Sequence, residues 1–229
     1  MSKRGILYMV WGERAKEQLA RSRRSLEAVH PDLPVHVEYL PDDSTWLEKA
    51  KMLDVSPYET TLFLDSDTTV LGRLDYGFEK AEKFSLACCI NECPWARRNA
   101  GLAERGDIIE YNSGVVFFTR QAKPVFDGWK DRVRTLDSSV KHVQNGELKV
   151  MKSSDQASFS QTLDELGVSP FVLPLNWNFR PIWHRSFFGP IKIWHDRRDA
   201  PANFEKLAQY YARPDAVIQY VELAPNKGA

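Results

Sequence analysis

TLFLDSDTTVLG, at residues 61–72, is the stretch that decides the fold of this 229-residue chain. Three apolar residues at 62–64 are followed at once by two acids, Asp65 and Asp67. A short apolar run that ends in turn-forming residues is typical of a buried strand. In an open α/β sheet, the ligand-binding side chains follow the carboxyl ends of the strands. The stretch therefore predicts that Asp65 and Asp67 lie at a binding edge of such a sheet.

The two acids have a structural and a functional interpretation. They are either solvated acids at a strand end or, if the chain turns at Ser66, two ligands of one cation. Close carboxylates without a cation repel each other and raise the pKa of one of them. A hard divalent metal removes that penalty. For an isolated Asp-x-Asp the structural interpretation has more weight, so the rest of the chain must decide.

Strand-like and helix-like segments alternate through the first third of the chain. The apolar run at 5–11 and the alternating segment at 35–40 predict strands, and the segments at 13–30 and 42–53 predict helices. This order is typical of a doubly wound α/β unit with mostly parallel strands. The first strand-to-helix turn has no Gly-x-Gly-x-x-Gly, which disfavours a dinucleotide-binding enzyme.

The pattern changes after Gly72 but stays mixed. Further strands are predicted at 84–90, 114–119 and 191–195, and helices at 74–83, 123–136, 153–166 and 201–213. Residues 91–107 predict a polar, Arg-rich loop, and residues 140–152 carry no clear pattern. We expect one domain over residues 1–229, with a first half at about 1–120, a second half at about 121–213 and a tail at 214–229.

Composition excludes several classes of protein. The chain has 31 basic and 31 acidic residues, which argues against a generally polybasic nucleic-acid or membrane binder. Its three cysteines, Cys88, Cys89 and Cys93, do not have a usual zinc spacing and are expected to be reduced. The N-terminal apolar run is too short for a signal peptide, and no run is long enough to span a bilayer. These features predict a cytoplasmic protein.

Other polar residues follow predicted strands or begin a helix. His195 ends the strand at 191–195, and beside two carboxylates its imidazole suits Mn²⁺, with Mg²⁺ as the alternative. Asp155 and Gln156 begin a helix after two serines, which indicates either helix capping or a pair that holds a polyhydroxylated ligand. Asn112 and Ser113 precede a strand, as a turn or as ligand contacts.

The motifs together resemble those of a known family. The order is a lysine-bearing helix, an SPY turn, TLFLDSDTTV, YNSGVVFF, SSDQ, LPLNWN and a late strand that ends in His195. It resembles the nucleotide-sugar glycosyltransferases of GT-A fold, and most of all family 8, the glycogenin and lipopolysaccharide galactosyltransferase group. The resemblance runs from about residue 5 to about residue 197. It implies an α/β fold with a mixed, mostly parallel sheet flanked by helices.

The resemblance also implies roles for individual residues. The metal ligands would be Asp65, Asp67 and His195, and Mn²⁺ or Mg²⁺ would hold the donor diphosphate. The expected donor-binding residues are Lys49, with Lys51 as its rival, Asp65, Ser66, Asp67, Asn112, Ser113 and Arg197. Asp155 and Gln156 would line the sugar pocket as the catalytic pair. Family members usually have a Gly and a Lys-Pro-Trp-like segment after the histidine, and here Arg197 or Arg198 takes that place.

The sequence therefore predicts a metal-dependent glycosyltransferase that uses a nucleotide-sugar, with a UDP-sugar favoured. The resemblance implies retention of configuration without a dedicated base, and Glu110 and Asp155 are the candidates if a base is needed. The acceptor is open between glycan, lipid-linked sugar, protein and, as a minority hypothesis, a modified base in DNA. Alternatives for the function are a nucleotidyltransferase that makes the sugar nucleotide and a non-catalytic binding module.

Overall fold

The structure is a computed structural model, and it describes residues 3–92, 109–184, 186–187, 190–201 and 221–222. The strands are β1 (Arg4–Val10), β2 (Val35–Tyr39), β3 (Thr60–Leu64), β4 (Thr68–Val70), β5 (Leu86–Ile90), β6 (Tyr111–Thr119), β7 (Val140–Gln144), β8 (Glu147–Met151), β9 (Phe171–Val172), β10 (Ser186–Phe187), β11 (Ile193–His195) and β12 (Val221–Glu222). The helices are α1 (Gly12–Val29), α2 (Met52–Val55), α3 (Asp75–Phe84), α4 (Lys123–Thr135) and α5 (Asp155–Glu165), with 3₁₀ helices at Trp46–Lys51, Arg120–Ala122 and Leu175–Trp177. The predicted Arg-rich loop and the predicted last helix lie almost wholly outside the described residues.

Six strands form the central sheet in the order β2-β1-β3-β6-β5-β9. The β1–β2, β1–β3 and β5–β9 pairs are parallel, and β6 runs antiparallel to both β3 and β5. The predicted fold class, a mixed and mostly parallel sheet, is confirmed. Because β6 is reversed, its first residues lie at the same edge as the end of β3, where Leu64 pairs with Val115.

Apolar side chains alternate between the two faces of the sheet and explain why helices cover both. Ile6 and Tyr8 of β1 belong to the core that includes residues of α1 and α3. Leu7 and Met9 belong to the opposite core, which includes residues of α4 and α5. Successive side chains of a strand point to opposite faces, so a wholly apolar strand needs cover on both sides.

A short pair of strands, β4 and β11, lies beside the main sheet. β11 falls within the strand predicted at 191–195, whereas β4 and the pairing of the two strands were not expected from the sequence. β4 pairs antiparallel with β11, so that His195 lies opposite Thr68 and Ile193 lies opposite Val70. A strand of three residues has too few positions to show a period, and its partner lies more than 120 residues away in the chain. This pairing brings the late histidine next to the Asp-x-Asp turn.

The helix predicted at 42–53 is wrong in its first part. Ser44 N donates to Pro41 O at 2.9 Å, so residues 41–44 form a turn. Thr45 Oγ1 then accepts from Leu47 N at 3.4 Å, and a 3₁₀ helix begins at Trp46 and passes into α2. The helix begins later than predicted because Asp42 and Asp43 lie inside the turn that starts at Pro41.

Residues 140–152, for which no element was predicted, mostly form the hairpin of β7 and β8. Asn145 and Gly146 connect the strands with φ of +53° and +81°. Asn-Gly is the preferred pair for a two-residue hairpin loop because both positions need a positive φ. The signal was therefore present in the sequence.

Cys88 and Cys89 are buried free thiols in β5. Burial raises the pKa of both thiols, which keeps them protonated and unreactive. Cys93 lies outside the described residues. Among the described helices, none combines the length and the apolar character needed to cross a membrane.

Candidate metal and donor site

The chain turns at Ser66, as the functional interpretation of the two acids requires. The carbonyl of Asp65 accepts hydrogen bonds from Thr68 N at 3.2 Å and from Thr68 Oγ1 at 2.8 Å. A chain of buried hydroxyls continues from Thr68 Oγ1 to Ser22 Oγ at 3.0 Å and from there to Tyr8 OH at 2.8 Å. The turn is therefore anchored to both α1 and β1.

Asp65, Asp67 and His195 come together at this turn, each offering one ligand atom within 4.8 Å of the others. His195 Nε2 lies 3.1 Å from Asp67 Oδ1 and 3.7 Å from Asp65 Oδ2. Two carboxylate oxygens and one imidazole nitrogen are a donor set that fits Mn²⁺ or Mg²⁺. Burial acts to raise the pKa of Asp67, but His195 outweighs it and holds that pKa well below its usual value. Asp67 is therefore ionised at neutral pH, as a metal ligand must be.

Gly114 allows this close approach. A Cβ at this position would lie 2.5 Å from Asp65 Oδ2 and 2.5 Å from His195 Cε1. A glycine has no side chain and so permits close approach to its backbone. The groups that approach it in the structure are the chain's own Asp65 and His195 side chains.

Lys49, and not Lys51, contacts the acids. Lys49 is 7% exposed, and its Nζ lies 2.7 Å from Asp65 Oδ1 and 3.9 Å from Asp155 Oδ2. Burial acts to lower the pKa of Lys49, but the charges of Asp65 and Asp155 outweigh it and raise that pKa. Lys51 instead pairs with Glu48 at 2.5 Å on the exposed face of the 3₁₀ helix. The structure does not bring Lys51 to the site.

Asp155 joins the same group of charges from the N-terminus of α5. Its Oδ2 accepts from Ser113 Oγ at 2.5 Å, and the side chain is buried. Burial raises the pKa of Asp155, although Lys49 and Ser113 oppose the rise. Of the two serines that precede this helix, Ser154 is the cap, and its side chain accepts from Ala157 N. Gln156 lies in the first turn of α5 and is half-buried.

Asn112 is linked to His195 through a second amide. Asn112 Oδ1 accepts from Asn178 Nδ2 at 2.7 Å, and Asn178 Oδ1 lies 2.7 Å from His195 Nδ1. Both amides are 2% exposed. Asn178 lies in the LPLNWN segment, but the sequence pattern assigns it no role. Only the fold brings its side chain into contact with His195.

A cleft of about 330 Å³ opens beside the two acids. Its lining includes aromatic, basic and polar side chains from four parts of the chain, among them Trp11, Arg14, Gln18, Trp46, Lys49, Asp65, Ser66, Asp67 and Arg197. Arg198 pairs with Asp196 at 2.9 Å and is not among the lining residues. Of the two arginines proposed to replace the family's lysine, Arg197 therefore faces the cleft.

Arg21 on α1 holds the two segments that border the cleft. Its Nη2 donates to the carbonyl of Asp196 at 2.6 Å and to that of Asp67 at 3.4 Å. Its Nη1 donates to the carbonyl of Arg197 at 2.6 Å. One guanidinium thus joins the Asp-x-Asp turn to the segment after His195. No sequence motif marks Arg21, since it contacts backbone groups.

Replacing Arg21 should loosen this connection. We expect Arg21→Ala to lower the free energy of unfolding by about 2 kcal/mol, because three carbonyls lose a charged donor. Arg24→Ala, an exposed arginine on the same helix, is the control and should change it by less than about 0.5 kcal/mol. Urea denaturation measures both. If the two substitutions lowered the free energy of unfolding equally, the hydrogen bonds from Arg21 to the carbonyls would contribute nothing to stability.

The Arg-rich loop and the segment at 180–185 suggest by sequence a basic, aromatic rim for an anionic acceptor. Two of its described side chains, Arg180 and His184, lie close to one acid. Arg180 Nε lies 2.9 Å from Glu92 Oε1, and His184 Nε2 lies 3.4 Å from the same oxygen. Glu110 is buried and accepts from Asn91 Nδ2 at 2.6 Å. The remaining rim residues, Trp95, Arg97, Arg98, Arg105 and Arg185, lie outside the described residues. Among the residues that the structure describes, Arg180 is therefore paired with an acid and is not free to bind a polyanion.

No protein-family model matches the chain, and no curated protein matches it by sequence. Solved structures do. The galactosyltransferase LgtC, in complex with donor and acceptor sugar analogs, is 15% identical over 92% of this chain and 98% of its own, with a TM-score of 0.55. Mouse xyloside xylosyltransferase 1 in its apo form is 13% identical over 87% of this chain and 99% of its own, with a TM-score of 0.56.

The glycosyltransferase GlyE of Streptococcus pneumoniae TIGR4, also in its apo form, is 12% identical over 93% of this chain and 61% of its own, with a TM-score of 0.53. At such identities the likeness shows the fold alone. LgtC is named a galactosyltransferase and the mouse protein a xylosyltransferase, whereas the name of GlyE specifies no sugar, so the likeness points to no particular sugar. The chain therefore has the GT-A fold of these glycosyltransferases.

Proposed function

We propose that the protein is a metal-dependent glycosyltransferase. It transfers a sugar from a nucleotide-sugar, with a UDP-sugar favoured, to a hydroxyl group of an acceptor, and it retains the configuration of the sugar. The observation that carries the proposal is the convergence of Asp65, Asp67 and His195 beside the cleft. The GT-A fold supports it, since sites in such sheets form at the strand ends.

Mn²⁺ or Mg²⁺ would be held by Asp65, Asp67 and His195. When bound, such an ion neutralises the charge that grows on the leaving diphosphate. Lys49 and Arg197 line the same cleft and are available to add positive charge near that diphosphate. Trp11 and Trp46 offer aromatic surface of the kind on which a nucleobase stacks.

The surroundings of Asp155 favour retention over inversion. In the transfer, the bond between the anomeric carbon and the phosphate oxygen breaks, and a bond to the acceptor oxygen forms. An inverting enzyme needs a carboxylate to take the acceptor's proton. Both carboxylates suggested for that task are engaged, since Asp155 contacts Ser113 and Lys49 and Glu110 contacts Asn91. In a retaining transfer the leaving phosphate accepts the proton. Asp155 and Gln156, at the start of α5, would then contact the sugar.

The proposal divides the chain between the two substrates. Residues of about 1–120 supply Lys49, the two acids, Asn112 and Ser113, and residues of about 121–213 supply Asp155 and His195 and would contact the acceptor. The acceptor itself, whether glycan, lipid-linked sugar, protein or DNA base, stays open, as does the predicted cytoplasmic location.

The first test is a donor screen. We expect UDP with Mn²⁺ to raise the melting temperature more than UDP or Mn²⁺ alone, and GDP to have a smaller effect. UDP-sugars should then be hydrolysed slowly with Mn²⁺, and the release of UDP measures this. Failure of every nucleotide to shift the melting temperature, with or without metal, would contradict the proposal.

The same screen separates the alternative functions. A non-catalytic binding module would bind the nucleotide-sugar but neither hydrolyse nor transfer it. A nucleotidyltransferase would instead form a nucleotide-sugar and pyrophosphate from a sugar 1-phosphate and a nucleoside triphosphate. Salt-dependent binding of duplex DNA would favour the DNA acceptor.

A further inference from the structure

Three hydrogen bonds connect the backbone of β6 to the ring of His195. Gly114 N donates to Asn112 Oδ1 at 2.8 Å, Asn178 Nδ2 donates to the same oxygen at 2.7 Å, and Asn178 Oδ1 lies 2.7 Å from His195 Nδ1. Both amides are almost completely buried. We call this chain of groups the amide relay.

The amide relay has only one consistent assignment of donors and acceptors. A backbone N–H can only donate, so the Asn112 atom that contacts Gly114 must be the carbonyl oxygen. That oxygen can only accept, so Asn178 must turn its NH₂ group toward it. The oxygen of Asn178 then faces His195 and must accept a hydrogen bond from Nδ1–H. In the neutral imidazole, the lone pair is therefore on Nε2.

Nε2 is the ring nitrogen that faces the carboxylates, at 3.1 Å from Asp67 Oδ1. We propose that Asn178 is a positioning residue that fixes His195 in the Nδ1–H form and so presents the Nε2 lone pair to a divalent cation. The inference rests on the proposed metal site. Groups behind a ligating histidine commonly set its tautomer and its orientation in this way.

The amide relay also changes the role assigned to Asn112. The family resemblance implies that Asn112 lines the sugar pocket. Its side-chain oxygen, however, already accepts from Gly114 N and from Asn178 Nδ2. In our proposal, Asn112 orients Asn178 and acts on the metal site only through it.

The effect of removing Asn178 follows from the position of Asp67. Without an acceptor at Nδ1, the favoured tautomer is the one in which Nε2–H donates to Asp67, and that proton blocks the lone pair. Asn178→Asp keeps an acceptor for Nδ1–H. It places a second oxygen against Asn112 Oδ1, however, so it should lower stability without losing the tautomer.

The experiment compares Mn²⁺ binding to the intact protein and to three variants, with and without UDP, by the electron paramagnetic resonance signal of free Mn²⁺. We expect Asn178→Ala to raise the Kd by about 10- to 100-fold and Asn178→Asp by less than about threefold. Asn176→Ala is the matched control, because Asn176 lies two residues away and donates to the carbonyl of Pro190 instead. Its Kd should equal that of the wild type.

A second measurement does not depend on the metal. Long-range ¹H–¹⁵N correlation spectra of the five histidines report the tautomer of each, and His195→Gln identifies the signal of His195. We expect Nδ1 to carry a proton in the wild type and in Asn178→Asp, whether or not Nε2 also carries one toward Asp67 before the metal binds, and we expect only Nε2 to carry a proton in Asn178→Ala. If Asn178 had only a structural role, Mn²⁺ binding would weaken in both Asn178 variants in proportion to the fall in their melting temperatures.

The outcomes separate this inference from the proposed function. If the wild type binds Mn²⁺ and Asp67→Asn does not, but Asn178→Ala binds as tightly as the wild type, the amide relay has no role in metal binding. An unchanged tautomer in Asn178→Ala overturns the inference by itself. If the wild type does not bind Mn²⁺, the proposed metal site fails, whereas the spectra still decide whether Asn178 sets the tautomer.

Discussion

Asp67→Asn should lower sugar transfer, or UDP-sugar hydrolysis, by about a thousandfold while leaving the fold intact. Its Oδ1 lies 3.1 Å from His195 Nε2, on the side of the turn that faces the cleft. The amide keeps the size of the side chain but removes the charge that a divalent cation requires. Loss of the ion's charge stabilisation is worth several kcal/mol in the transition state, and about 4 kcal/mol corresponds to a thousandfold.

Asp67 is a cleaner target than Asp65 for this test. Asp65 also forms the ion pair with Lys49, so Asp65→Asn disturbs the buried charges as well as the metal site. Asp75→Asn is the control, because Asp75 is an exposed acid that pairs with Arg73 outside the cleft, and its activity should be that of the wild type. Initial rates at several Mn²⁺ concentrations measure both variants. If Asp67→Asn keeps more than about a tenth of the activity with an unchanged Mn²⁺ dependence, the metal assignment is wrong.

The central sheet could be predicted from the sequence because its strands carry their own signals. The residues of β3 are all buried, so β3 appears as an unbroken apolar run that stops at Asp65. The end of α5 was placed nearly correctly by the Gly167 that follows it, which has a φ of +64°. Such signals are local, and they survive in a single sequence.

The parts that could not be predicted depend on contacts between distant segments. Arg21 and Asn178 act on backbone groups or on another side chain, and such partners leave no pattern in the sequence around them. The sequence alone could not decide which of Lys49 and Lys51 contacts the acids, since an α-helix was expected where the chain forms a 3₁₀ helix. The site was therefore predictable in its residue types but not in its supporting contacts.

Lys49→Met should destabilise the protein far more than Lys51→Met. Lys49 is buried between Asp65 and Asp155, whereas Lys51 is exposed and pairs only with Glu48 in the 3₁₀ helix. Removing one partner of a buried ion pair leaves an uncompensated charge and costs about 3–5 kcal/mol. Removing an exposed partner costs less than about 1 kcal/mol. Urea denaturation at neutral pH measures the free energy of unfolding of both variants.

The pH dependence of the Lys49→Met effect has a definite sign. Burial already raises the pKa of Asp155, and Lys49 opposes the rise, so the variant should raise that pKa further. Where the folded carboxyl binds more protons than the unfolded one, stability falls as pH rises. The difference in unfolding free energy between wild type and variant should therefore be greatest above the raised pKa of Asp155 and should shrink as pH falls toward the ordinary carboxyl pKa.

Mn²⁺ should restore part of the stability of Lys49→Met at neutral pH, because it replaces the lost positive charge beside Asp65. A difference that stays constant over this pH range, or equal losses in the two lysine variants, would show that Lys49 does not compensate the buried acids.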